Sequence, residues 1–537
     1  MKDETILEVS SLSAGYGRDE AVRDLSFALR RGEILCLVGE SGSGKSTVLK
    51  ALIAAPEVEV LSGEIRYDET MVLTLPKGKR RKFCAEKMGM IFQSPGAAFN
   101  PIRSYGKQIV ETLKSHGRYH ADTFQKEVAE TFAKVDLKEP ERILRQCPYA
   151  LSGGMNQRVA LAITLLLGQE VLLCDEPTSA LDATTALGVV RELKSLREKS
   201  QVSQIIVTHN LAMAGALADR IGVMYEGKLV ELGETREILN HPKHPYTKSL
   251  LEVIPSLKRQ IVKARDEGAA TESEAPEDAG LRELDQGHGH GVLETKDLSK
   301  AYHANRSRVE ALKAGRIRLK KGEVLGVVGE SGCGKTTFLK VISGLEAPDG
   351  GEILLNGREL KAKRAKADYA AVQMIFQDAI SSFHPRRKVA DSIQEAVHGL
   401  LGKDAKIDKK ELSELVGLSP ELMDRYPRQL SGGQCQRLAI ARAVAVRPQV
   451  LLCDEVTSAL DVSTQAQILK LLEKICRESG MAAVFVSHDI AVVSELCDRV
   501  IVMRDGGIVE EGDTLQVIAK PQEEYTKQLI DSVMEVG

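Results

Sequence analysis

An Asp-Glu pair closes an apolar run twice in this chain, each time with the same companions. The first set is Lys45, Ser46, Asp175, Glu176 and His209; the second is Lys335, Thr336, Asp454, Glu455 and His488. Together they could grip a chain of phosphates, hold a metal ion and activate a water. The lysines come from Gly39-Glu40-Ser41-Gly42-Ser43-Gly44-Lys45-Ser46 and Gly329-Glu330-Ser331-Gly332-Cys333-Gly334-Lys335-Thr336. Both fit the phosphate loop, Gly, four residues, Gly-Lys-Ser/Thr. Such a loop wraps backbone N–H groups around phosphates at a helix N-terminus, where the dipole favours anions. Lys45 and Lys335 should reach the β- and γ-phosphates, and Ser46 and Thr336 should ligate Mg²⁺. Asp175 and Asp454 would hold the metal through its water shell. Glu176 and Glu455 would polarise the attacking water, and His209 and His488 would contact the γ-phosphate.

Any one of these has an ordinary alternative. An Asp-Glu after a strand is usually a solvated loop, and a lone His is usually a hydrogen-bonded structural residue. The register removes that alternative. Leu151-Ser152-Gly153-Gly154-Met155 is matched by Leu430-Ser431-Gly432-Gly433-Gln434, and Ser179-Ala180-Leu181-Asp182 by Ser458-Ala459-Leu460-Asp461. Ser152 to Asp175 and Ser431 to Asp454 both span 23 positions; Asp175 to His209 and Asp454 to His488 both span 34. A series repeated in order governs the reading of the whole fold. Only the stretch from Lys45 to Gln93 (48 positions) differs from Lys335 to Gln377 (42). That stretch should be surface, where insertions are tolerated.

Elements must bring these residues together. Apolar runs predict strands at Glu33–Val38, Val171–Cys174, Gln204–Thr208 and Ile221–Tyr225, and again at Glu323–Val328, Val450–Cys453, Ala483–Ser487 and Val500–Met503. Helix-like stretches follow the phosphate loops at Thr47–Ile53 and Thr337–Ile342. Near-continuous apolar strands separated by helices imply a largely parallel sheet covered on both faces, an α/β fold. A chain of 537 residues suits two domains with a linker. Residues 1–257 form the first, 292–537 the second, and 258–291 the linker. Lys263–Gly291 is rich in Ala, Glu, Asp and Gly, lacks aromatics, and reads as flexible.

The net charge of -3 gives no electrostatic case for nucleic acid. No window approaches a membrane span, and Met1-Lys2-Asp3-Glu4 is no signal peptide. Nine scattered cysteines without a CxxC pair point to a reducing compartment and no metal cluster. The expectation is a soluble, cytoplasmic chain that touches a membrane only through partners. His288 and His290 in the linker read as solvated rather than as metal ligands. The basic run Lys77–Lys82, with its counterpart Lys361–Lys366, reads as a solvated face near the membrane side.

These residues resemble the ATP-binding cassette ATPases, which the Leu-Ser-Gly-Gly signature separates from other phosphate-loop proteins. The resemblance covers nearly everything but the linker. It implies two cassettes, each a mostly parallel core with an antiparallel β subdomain and a helical subdomain. It implies ATP and Mg²⁺ as cofactors and two sites completed across the pair. Lys45, Ser46, Asp175, Glu176 and His209 would work with Ser431, Gly433 and Gln434; Lys335, Thr336, Asp454, Glu455 and His488 would work with Ser152, Gly154 and Met155. Tyr16 and Tyr302 match the aromatic that stacks on adenine, and Gln93 and Gln377 the glutamine that senses Mg²⁺. The nucleotide set further takes in Gly39, Ser41, Gly42, Gly44 and Thr47, with Gly329, Ser331, Gly332, Gly334 and Thr337. Fusion makes closure of the pair intramolecular, at an effective concentration of about mM.

Finer features resemble the oligopeptide, dipeptide and nickel importer ATPases. They are Gln93-Ser94-Pro95 with Asn100-Pro101, Gln377 with Ser382-Phe383-His384-Pro385, and the extension His244-Pro245-Tyr246-Thr247. A degraded copy of the extension, Glu524-Tyr525-Thr526-Lys527-Gln528-Leu529, ends the chain. The resemblance implies an importer motor for di- or oligopeptides, or for nickel or a metal chelate. It would sit at the inner face of the cell membrane on two integral-membrane permease subunits, served indirectly by a substrate-binding protein. The segments Gln93–Pro101 and Gln377–Pro385 would form the docking grooves, with Phe99 and Phe383 in them. Three departures from the family pattern are expected to touch surface packing: Asn156, Cys435, and Val456 in place of a proline. The segment 255–293 has no Cys, so no iron–sulfur centre is expected. Two alternatives are a tandem-cassette translation factor and an ATP-dependent metalloenzyme activator. The first uses a long basic linker, unlike the acidic one here, and lacks the His-Pro-Tyr extension.

Overall fold

The computed structural model describes residues 4–17, 19–93, 95–151, 153–179, 181–257, 260–262, 291–304, 307–458 and 460–534. The linker histidines, Ser94 and Ser152 lie outside them. The chain divides into two compact units. One is Met1–Leu181 with Thr185–Ile254 and Met534–Gly537; the other is Asp182–Thr184 with Pro255–Val533.

In the first unit a six-stranded sheet runs in the order Lys228–Glu234, Arg220–Tyr225, Ile34–Val38, Ser203–Thr208, Val171–Asp175, Met88–Ile91. All neighbours are parallel except the first pair. Alternate residues of each strand feed opposite faces. Leu35, Leu37, Leu173, Ile205 and Val207 join one core; Ile34, Cys36, Val38, Leu172, Cys174 and Ile206 join the other. Burial on both faces is why these strands read as unbroken apolar runs. The second unit repeats the order with Gly507–Asp513, Arg499–Arg504, Val324–Val328, Ala482–Val486, Val450–Asp454 and Val372–Ile375.

All eight strands expected from apolar runs form, and their ends move by no more than one residue. Three further features carried no such signal. Met88–Ile91 and Val372–Ile375 are four-residue edge strands, too short to stand out. Each unit also has a four-stranded antiparallel sheet, ordered Asp19–Arg30, Thr5–Tyr16, Glu59–Tyr67, Thr70–Met71 and, in the second, Ser307–Leu319, Leu293–Ala304, Gly350–Leu355, Arg358–Glu359. Between the edge strand and the Asp-Glu strand each unit inserts helices. The first has Tyr105–Ser115, Phe124–Lys134, Pro140–Arg145 and Gly153–Leu166; the second has Val389–Leu401, Lys409–Leu415 and Gly432–Val444. The architecture is the α/β core with antiparallel and helical subdomains.

The variable basic stretches differ from the expectation in one respect. Lys77, Lys79, Arg81 and Lys82 are exposed on the helix Lys77–Lys87. In the counterpart, Arg364 turns inward and donates to the Val341 carbonyl at 3.2 Å, so that run is not wholly a solvated face.

Candidate nucleotide site

Both sites form at the C-terminal ends of the parallel strands, where open α/β sheets place their ligands. The helices after the phosphate loops begin at Lys45 and Lys335, two residues earlier than the apolar pattern suggested. Gly44 and Gly334 precede them with φ of 94° and 108°. A β-carbon would sit 2.5 Å from the Ala21 carbonyl at the first and 2.2 Å from the Ala311 carbonyl at the second. Both the backbone hand and the close approach therefore require glycine.

Lys45 Nζ donates to the carbonyls of Gly39 at 2.8 Å and Glu40 at 2.6 Å. Lys335 Nζ donates to Gly329 at 2.7 Å and Glu330 at 2.8 Å. Each ammonium is buried within its own loop and aimed at the space the loop encloses. Ser41, Gly42, Ser331 and Gly332 line the exposed turn, while Thr47 lies beneath it, buried.

Ser46 Oγ donates to Asp175 Oδ1 at 2.7 Å, and Thr336 Oγ1 to Asp454 Oδ1 at 3.0 Å. Burial pushes both aspartates above the usual carboxylate range, against the hydrogen bond from the hydroxyl. A hydroxyl and a carboxylate side by side form an all-oxygen donor set of the kind Mg²⁺ prefers. A cation beside them would also relieve the burial penalty, so these residues fit the metal.

Glu176 and Glu455 follow the aspartates with φ of 48° and 45°, a left-handed conformation uncommon outside glycine. Each keeps a backbone bond to the neighbouring strand: Glu176 N–H donates to Val207 O at 2.9 Å, and Glu455 N–H to Val486 O at 3.1 Å. The conformation occurs at the same place in both copies. His209 Nδ1 lies 3.0 Å from Glu176 Oε1, and His488 Nδ1 lies 3.5 Å from Glu455 Oε2. Burial would raise Glu176, but the hydrogen bond and charge of His209 outweigh it and hold the carboxyl low. At Glu455 the His488 hydrogen bond is the larger influence, and the carboxyl is again low. Burial opposes charge on His488, yet Glu455 raises its pKa overall.

Gln93 Nε2 donates to Glu176 Oε2 at 3.3 Å, and Gln377 Nε2 to Glu455 Oε2 at 2.9 Å. The spacing of motifs along the chain gave no sign of this glutamine–glutamate contact. Tyr16 is 40% exposed, with Thr47 Oγ1 donating to its hydroxyl at 3.4 Å, so its ring is open to stack. Tyr302 is 36% exposed and its hydroxyl donates to Glu346.

Ser431 caps the signature helix of the second unit. Its Oγ accepts from Gln434 N–H at 3.3 Å, and Gln434 Oε1 accepts from Ser431 N–H at 3.1 Å. This reciprocal pair is a capping box. Gly433 follows on the first turn. In the first unit Gly154 and Met155 lie on the first turn of Gly153–Leu166, where Met155 lacks the amide that Gln434 uses.

The departures expected at the surface are buried instead. Asn156 accepts from the Tyr105 hydroxyl and donates to Pro148 O at 3.2 Å. Cys435 is fully buried, its Sγ 3.4 Å from Pro427 O, and Val456 is 2% exposed in the core. Phe383, expected in a docking groove, is 3% exposed, with the Arg442 guanidinium 4.5 Å over its ring. Phe99 is half-buried against Tyr105, ring centroids 4.9 Å apart.

The ABC transporter family matches residues 22–179 and 312–458. The oligopeptide/dipeptide transporter C-terminal region matches 230–280 and 509–537. The glutathione import ATP-binding protein GsiA of Escherichia coli (strain K12) is 38% identical over 98% of this chain and 89% of its own. The protein of the same name from Shigella boydii serotype 4 (strain Sb227) is also 38% identical over the same shares. A solved structure, the bacterial ABC transporter cassette MJ0796, is 29% identical over 41% of this chain and 98% of its own, with a TM-score of 0.38. The chain belongs to the ABC transporter family, as an ATP-hydrolysing fusion of two ATP-binding cassettes of the oligopeptide/dipeptide importer type.

Proposed function

We propose that the chain is the motor of a peptide importer, working on two integral-membrane permease subunits fed by a substrate-binding protein. The observation that carries this is the oligopeptide/dipeptide transporter C-terminal region, matched after each cassette. The translation-factor and metalloenzyme-activator readings do not account for it. The relatives' name extends the cargo class to glutathione, a small γ-linked peptide; a nickel or metal-chelate cargo has no comparable support. Among the described residues no helix is long and apolar enough to cross a membrane. Attachment at the inner face of the cell membrane would therefore run through the permeases.

In this reading the cassettes are 1–257 and 292–537, joined by 258–291. Lys45 and Lys335 neutralise the β- and γ-phosphates. Ser46 and Thr336, with Asp175 and Asp454 behind them, would hold Mg²⁺, which would supply the charge that polarises phosphoryl oxygens. Glu176 and Glu455 orient and polarise water, and His209 and His488 steady them and face the γ-phosphate. Gln93 and Gln377 connect that glutamate to the docking segment. The signature of each cassette, Ser431, Gly433 and Gln434 or Ser152, Gly154 and Met155, completes the other's site. Two permeases would dock where apolar side chains beside the glutamines are exposed: Phe92 at 44%, Ile102 at 82%, Phe376 at 37% and Ile380 at 41%.

The test is purification of the tagged chain from detergent-solubilised membranes, with uptake of a labelled dipeptide and of glutathione in a deletion strain. Recovery of two permeases and restored peptide uptake are expected. Sedimentation with ribosomes, or recovery of a soluble metalloenzyme instead, would overturn the importer reading.

A further inference from the structure

Each phosphate loop is also held from the C-terminal extension. In the first unit the Glu40 backbone N–H donates to the Tyr246 hydroxyl at 3.3 Å. In the second the Glu330 N–H donates to the Tyr525 hydroxyl at 3.0 Å. The carbonyls of the same two residues accept from Lys45 and Lys335 at 2.6 and 2.8 Å. One residue at the start of the loop is thus gripped at both its backbone groups. One of those grips is shared, because the lysine that supplies it must also meet a phosphate.

The tyrosines open the helices Pro245–Glu252 and Glu524–Asp531 of the C-terminal extension. Each helix is seated the same way. Glu231, on the edge strand, accepts from the N–H groups of Lys243 at 2.7 Å and His244 at 3.1 Å. Glu510 accepts from Gln522 at 2.8 Å and Glu523 at 3.2 Å. Thr247 and Thr526, one residue after the tyrosines, are fully buried. The His-Pro of the first extension is Glu523-Glu524 in the second, yet tyrosine, threonine and the strand glutamate keep their places. What the two copies share is the anchor.

The rings are clamped by different neighbours. Tyr225 lies on Tyr246 with centroids 4.3 Å apart, and the Arg504 guanidinium lies 4.8 Å over Tyr525. Tyr225 and Arg504 end equivalent strands. Two chemistries therefore hold the same hydroxyl against the same point of the loop.

We propose that Tyr246 and Tyr525 are positioning residues for nucleotide binding: each fixes the first turn of its phosphate loop from the extension, so the loop keeps its shape when its lysine is shared with ATP. This rests on the reading of the two loops as ATP sites. It also makes the peptide-transporter extension a mechanical part of the nucleotide site, so a displacement of either extension helix would be felt by the loop.

The experiment uses the full chain with Tyr246→Phe, Tyr525→Phe and both together. Phenylalanine keeps the ring and removes only the hydroxyl. Loss of one neutral hydrogen bond predicts ATP affinity lower by about threefold to tenfold at the altered site. It should appear as a raised KM with kcat changed less than about twofold, since the bond serves ground and transition states alike. The melting temperature should stay that of the wild type. Tyr246→Leu and Tyr525→Leu, which also remove ring packing, should lower both affinity and melting temperature. An unchanged KM in the double phenylalanine variant would overturn the anchor while leaving the ATP sites standing. So would a loss of affinity that only tracks a loss of melting temperature. A wild-type chain that binds no MgATP would instead overturn the reading of the loops themselves.

Discussion

Glu176 and Glu455 sit in a conformation that costs energy, on the first residue after the strand, with a histidine and a glutamine on their carboxylates. Glu176→Gln and Glu455→Gln should each cut ATP turnover by about 10² to 10⁴ while ATP binding persists. Steady-state turnover beside equilibrium binding checks this, and a substitution that leaves turnover intact would show that only one site is competent. The pair also sets a pH dependence. Glu455 is held low chiefly by His488, and His488 is raised by Glu455. The carboxylate's stabilisation is therefore present above its ordinary value and lost as pH falls through its lowered one. The histidine's is present below its ordinary value and lost as pH rises through its raised one. In His488→Ala the larger influence that holds Glu455 low is gone and only the Lys335 charge still opposes burial, so the acid limb of the residual kcat–pH profile should move to higher pH. A profile with an unmoved acid limb would separate the histidine from the base. The identities of these groups were readable in the chain because register alone carries them. Their contacts were not: nothing in the spacing says that Gln93 meets Glu176, or that Tyr525 meets the loop at Glu330.

The core strands announced themselves for a physical reason. A parallel strand covered on both faces needs apolar residues at every position, so Ile34–Val38 and Val450–Asp454 stand out from any neighbour. The strand Glu59–Tyr67 has only Ile65 and Tyr67 fully buried, and so leaves almost no apolar trace. The docking segments were legible as segments but not in their packing. Phe383 is roofed by Arg442, whose guanidinium also donates to Ser382 O at 2.6 Å. Aspartate there would empty the space of the ring beneath Arg442 and bury a carboxylate in its place, so it would disturb the packing of the segment rather than test docking. Ile102, directly after the first segment, and Ile380, within the second, are the informative positions, because both are exposed. Ile102→Asp with Ile380→Asp should abolish co-purification with the permeases and uptake, leave the melting temperature unchanged, and largely retain basal ATPase activity. Retained permease binding in that double variant would place the docking surface elsewhere.

At the scale of the whole chain, the decisive fact is that two complete sets of groups lie on one polypeptide. Separate cassettes would find each other at a rate set by their concentration. Cassettes joined by an acidic segment of the same chain would meet at an effective concentration of about mM, whatever the dilution. The signature reading then has a consequence that neither unit could produce alone. With Glu176→Gln and Glu455→Gln together, ATP should be bound but not consumed, and the chain should remain closed on itself. Small-angle scattering should show the same ATP-dependent compaction across a wide dilution series, with the mass of one chain throughout. Each unit expressed by itself should show no such change at low concentration. Compaction that fades on dilution, or a doubling of mass with ATP, would mean that the cassettes pair between chains. The fusion would then be a device for equal supply of two cassettes rather than for closure.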